Sequence, residues 1–173
     1  MRKAASSPRP DSAPHGDRRR IVRPSPPRPL VAIHHPRVDT PDISGYGAGT
    51  VVVAAPSADS LTFTESGDWQ NSAGCTFRFH NIYRWSQIGP TSVRLEHQRR
   101  SAASAVHLLD LTVKSGSANR WISAKPHLCG NDTYAAQFEA TSGGGVLQWT
   151  IRGPRKSEHI ITEYFPSPKS LSE

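Results

Sequence analysis

The chain has 173 residues, 35% of them hydrophobic, with 15 prolines and a formal charge of +7; it has room for one ordinary domain over part of its length. No apolar run approaches a membrane span, and none of secretory-signal length follows the basic start. The Arg- and Ser-rich beginning suggests a transit peptide, but Asp11, Asp17 and the prolines spoil the amphipathic helix that import requires, so the expectation is a soluble, cytoplasmic protein, with the nucleus second.

Residues 1–42 hold nine of the prolines and no aromatic residue, a composition that buries too little apolar surface to offset chain entropy. They are expected to form a disordered arm, followed by a domain over 43–166 and a flexible tail over 167–173. The arm carries nine Lys or Arg against four Asp, a net of +5, which leaves +2 of the total +7 for the rest. A nucleic-acid binder is expected to carry a basic face on the domain itself, so the overall charge argues weakly for that partner. The run DRRRIVRPSPPRP offers a localisation or phosphate-binding patch, a polyproline ligand for a partner module, or a solvated tail.

From Gly49 onward short β-prone runs alternate with turn residues, and no stretch keeps a helical period. The expected strands are Thr50 to Ala55, Ser60 to Glu65, Cys75 to Trp85, Ser92 to Gln98, Ala105 to Lys114, Trp121 to Leu128, Thr133 to Thr141, Val146 to Arg152 and Glu158 to Phe165. Pro56, Ser66-Gly67-Asp68, Gly89-Pro90, Ser115-Gly116-Ser117, Gly130-Asn131-Asp132, Gly143-Gly144-Gly145 and Gly153-Pro154 supply breaks.

Alternation assigns the faces. Phe77, Phe79, Asn81, Tyr83 and Trp85 share one side, and Arg78, His80, Ile82 and Arg84 the other; Tyr134, Ala136 and Phe138, then Leu147, Trp149 and Ile151, form further apolar rows. A single sheet would expose its aromatic face. The expected fold is therefore mostly β, a single antiparallel up-and-down barrel of roughly eight or nine strands, with a sandwich as the alternative.

The segments LTFTESGDW, NIYRW, VRLEHQRR, VHLLDL, KPHLCGNDTYAAQF and LQWTIRGPRKSEHIITEY, in this order, resemble a domain family of unknown function found in bacteria, fungi and plants. The likeness runs from Gly45 to Pro166 and implies a calycin-like barrel. It also implies that His127, Cys129, Asp132, Tyr134, Trp149, Gly153, Pro154, Lys156 and Tyr164 occupy the family's marked positions, without assigning them a role. Members of the family it resembles usually begin with a Trp-containing strand ahead of the SGYGAGTVVV equivalent. Here the proline-rich arm stands in that place, so either Leu30 to Val38 substitutes for the strand or the barrel lacks it.

The run SAKPHLCGND sets an imidazole, a thiol and a carboxylate close together. His127, Cys129 and Asp132 are a candidate mixed-ligand metal set, although a strong zinc signature has further Cys or His at fixed spacing. His127 with Cys129 or Tyr134 is a candidate acid–base or nucleophilic pair. In the bland alternative, Cys129 is a small buried hydrophobe and Asn131 and Asp132 form a turn. The two cysteines, Cys75 and Cys129, are expected to be free thiols.

A small barrel can hold one ligand in its interior or mouth. Arg84, His97, Arg99, His127, Tyr134, Lys156 and Tyr164 are the candidate polar contacts, a set suited to a partly apolar, anionic or carbonyl-bearing molecule. The binding reading, with His127 and Tyr134 as anchors, is preferred over an enzyme on the same scaffold or an interaction protein acting through the arm. No cofactor is named by the sequence.

Overall fold

The structure, a computed structural model, describes residues 30–38, 44–98 and 104–166. The rest of the expected arm, the candidate Arg99 and the tail over 167–173 lie outside the described residues.

Among the described residues eleven strands form one antiparallel sheet: β1 (Leu30–Val38), β2 (Gly45–Ser57), β3 (Ser60–Asn71), β4 (Thr76–Gly89), β5 (Ser92–His97), β6 (Val106–Val113), β7 (Arg120–Ser123), β8 (His127–Cys129), β9 (Asp132–Thr141), β10 (Gly144–Gly153) and β11 (Lys156–Pro166). Strands pair with their chain neighbours from β1 to β7, β7 pairs with β9, and β9, β10 and β11 follow. β11 then pairs with β1, and the sheet becomes a barrel. Among the described residues no helix is long and apolar enough to cross a membrane.

Each expected run is a strand, and two differences make up the larger count. Composition placed Leu30–Val38 in the arm; in the structure these residues are β1, with β11 on one side and β2 on the other. Pro36 had hidden the strand. Pairing with β2 ends at His34, whereas pairing with β11 continues to Val38, so the proline falls where β1 has one neighbour, the setting that tolerates a residue without an N–H. The run from Trp121 to Leu128 is two strands, β7 and β8, interrupted around Pro126.

These two short strands share one edge of β9. β7 lies opposite Gln137 to Glu139, and β8 lies opposite Asp132 to Tyr134. β6 pairs with β7 only from Leu111 to Val113. Between β8 and the first half of β6 the wall is therefore closed by side chains rather than by a ladder: the His107 and His127 rings meet edge to face at 6.2 Å.

The register fixes what points inward. Val51 lies opposite Glu65, which lies opposite Asn81; Trp85 opposite Leu95, which lies opposite Leu109; Trp121 opposite Phe138, which lies opposite Leu147. Val51, Leu109, Leu111, Ala136, Leu147 and Tyr164 form the buried core, with Phe63, Trp85, Trp121, Phe138 and Trp149 packed against it. Each fully buried Leu or Val contributes about 1.5–3 kcal/mol of apolar burial.

The outer face carries cross-strand ion pairs. Arg84 sits opposite Glu96 with Nε 2.7 Å from Oε2, Arg94 opposite Asp110 at 2.8 Å, and Arg120 opposite Glu139 at 2.6 Å. The Arg94 guanidinium, against the opposing effect of partial burial and with help from His107, pulls the Asp110 carboxyl down to about 2.

Candidate functional site

Rings from neighbouring and from non-adjacent strands meet in the barrel interior. Trp121 on β7 touches Phe138 on β9 at a centroid distance of 6.2 Å. Phe138 reaches over to Trp85 on β4 at 5.5 Å, Trp85 meets Phe63 on β3 at 6.0 Å, and Phe63 meets Tyr164 on β11 edge to face at 5.4 Å. This aromatic chain spans the lumen. Space for it is made at Gly145, where a Cβ would overlap the Phe138 ring.

Polar groups adjoin the chain. Glu65 is 0% exposed and Tyr164 4%; the Tyr164 hydroxyl donates to Glu65 Oε1 at 2.6 Å, and Asn81 Nδ2 lies 3.4 Å from Oε2. Burial raises the Glu65 carboxyl above its ordinary value, and the hydrogen bonds from Tyr164 and Asn81 only partly offset this. Burial, reinforced by Glu65, likewise raises Tyr164 well above the phenol's ordinary value. The Trp85 and Trp69 Nε1 atoms are buried and have no acceptor among the described residues. These two donors are not in one place: Trp69 faces Phe77, eight residues from Trp85 along β4, or about 26 Å at strand rise. Only Trp85 belongs to the aromatic chain.

A second cluster lies where the β8–β9 and β10–β11 turns meet. His127 faces Tyr134 in register, with ring centroids 6.3 Å apart. Lys156 Nζ is 3.2 Å from Asp132 Oδ2. The Asp132 hydrogen bond, followed by the nearby Tyr134 oxygen, raises the ammonium above its ordinary value. Gly153 leaves room here for the Asp132 carboxylate, which a Cβ would displace. Two motifs set apart in the chain, HLCGND and GPRK, thus make one end of the barrel.

Of the expected contacts, His127, Tyr134 and Lys156 come together at this end. Tyr164 lies deeper on Glu65, and His97 stacks on Tyr83 at 5.1 Å on the inward register. Arg84 does not join them: alternation turns it outward to Glu96, as its place between Tyr83 and Trp85 requires. Asp132 is held by Lys156, and among the described residues no group of three or more His, Cys, Asp and Glu could hold a metal ion, so His127, Cys129 and Asp132 do not assemble one. Cys129 is an exposed free thiol rather than a buried hydrophobe, because it ends β8 at the turn; Cys75 is also free and exposed. Glu65, Asn81 and Trp85 were missed as site residues. The available signal was alternation, which sets Glu65 on the same face as Phe63 and so carries a carboxyl inward.

No curated protein matches the chain. The structure is similar to a redesigned beta barrel, mFAP1, solved bound to DFHBI, at 8% identity and a TM-score of 0.42 over 80% of this chain and 93% of that one. The Family of unknown function DUF6314 matches residues 37–166, all of the barrel except most of β1, and the chain belongs to that family.

Proposed function

We propose that the protein binds one small, partly apolar, anionic or carbonyl-bearing molecule inside the barrel, with His127 and Tyr134 as polar anchors at the end of the lumen. The observation that carries this reading is the Trp85 indole N–H, buried in the aromatic chain with no acceptor among the described residues. Leaving such a donor unsatisfied costs roughly 1–3 kcal/mol, which a ligand oxygen would recover. The aromatic rings supply apolar contact, and His127, Tyr134 and Lys156 supply oriented polar groups.

Native mass spectrometry of the purified full-length chain tests the reading. A mass above that of the polypeptide, lost in His127→Ala and Tyr134→Phe while their melting temperatures stay near the parent's, is the expected result. A bare polypeptide mass, with both variants destabilised, would make these residues structural and end the binding reading.

A further inference from the structure

The distribution of charge between the two faces decides between the two ligand chemistries. Every arginine of β2 to β11, namely Arg78, Arg84, Arg94, Arg120 and Arg152, lies in register with outward residues. The inward register of the described side chains holds one cation, Lys156, and Asp132 already engages it. Against it stand Glu158, opposite the buried Ile151, and Glu65, opposite the buried Val51. A carboxylate entering this lumen would shed its water and meet more acid than base. Of the two buried donors that lack a partner among the described residues, Trp69 and Trp85 Nε1–H, the one in the aromatic chain is Trp85, and it is neutral.

We propose that the lumen selects an uncharged apolar molecule bearing a carbonyl or similar neutral acceptor, that this oxygen accepts from Trp85 Nε1–H, and that carboxylates of the same shape are rejected. The proposal rests on the binding reading above and narrows it. The nitrogen is covered by its neighbours, so docking turns the Phe63 or Phe138 ring aside.

Equilibrium dialysis of the full-length chain against acetylnaphthalene, ethylnaphthalene and naphthoate, substituted at the same ring position, tests it at neutral pH. The ketone should bind about tenfold more tightly than the hydrocarbon, the worth of one buried hydrogen bond. The carboxylate should bind on the order of a hundredfold more weakly than the ketone. Trp85→Phe should bring the ketone down to the hydrocarbon. Should that variant fail to fold, the infrared carbonyl stretch of the ketone on the parent chain replaces it: a shift to lower frequency supports the hydrogen bond, and an unshifted band overturns it. Naphthoate binding as tightly as the ketone overturns the selectivity and leaves the binding reading standing. No binding by any of the three overturns both.

Discussion

Leu95 and Glu96 are neighbours on β5 and face opposite sides of one wall. Leu95 is fully buried between Trp85 and Leu109, whereas Glu96 meets Arg84 on the outer face with solvent beside it. Outside, charge is arranged as opposite pairs in direct register, weak where water competes for both partners, as at Arg94–Asp110 and Arg120–Glu139. Inside, the carboxyl of Glu65 has no such competition and is held by Tyr164 and Asn81. The contrast shows that in this barrel ion pairing and core packing are assigned to different faces of the same strands, and that period-two alternation is what keeps them apart.

The severest way to break the contrast is to remove the wall. A chain beginning at Asp42 lacks β1 and leaves the edges of β2 and β11 unpaired, so the inner face opens to water. Such a chain is expected to give no cooperative thermal transition by circular dichroism, whereas one beginning at Leu30 keeps it. A cooperative melt from the shorter chain would show that β1 is dispensable.

Single substitutions on β5 sharpen it. Leu95→Ala should cost about 2–5 kcal/mol, and Glu96→Gln, one residue away, less than about 1 kcal/mol. Urea denaturation of the two variants measures both, and equal losses would erase the distinction between faces.

The smallest effect is in pH, and here the faces have opposite signs. Glu65 has a raised folded value, so its contribution is complete below its ordinary 4.5 and is lost as pH rises through the folded value. Asp110 has a depressed one, so its contribution is present above its ordinary 3.8 and is lost as pH falls towards about 2. Urea midpoints taken from about pH 2 to about pH 8 should therefore fall at both ends. Glu65→Gln should flatten the upper limb and leave the lower one, and an unchanged upper limb would remove Glu65 as its source.

Most strands were legible because Gly- and Pro-bearing turns separate runs whose alternation is regular, and the face assignments of Phe77 to Trp85 carried over to the barrel. The expected breaks at Pro56 and Ser66-Gly67-Asp68 are not breaks, because β2 runs through the first and β3, paired on both sides, through the second. β1 was not legible from composition, since its pairing comes from β11, at the far end of the chain, and its proline falls where one neighbour is missing. At the candidate site the sequence showed that His127 and Tyr134 are near each other but not that Lys156 closes on Asp132, because that contact depends on two hairpins lying side by side. Arg84 shows the converse: its chemistry suited a ligand, yet its position in the alternation already turned it outward.

Leu30 pairs with Pro166, so the first and last residues of the barrel lie side by side. The ring consequently has no intrinsic starting point. A short link from Pro166 to Leu30, with the chain cut instead at the exposed turn around Gly116, where β6 gives way to β7, would preserve every strand pairing. Circular permutation would then place new ends beside β7 and leave the aromatic chain and the HLCGND–GPRK end untouched.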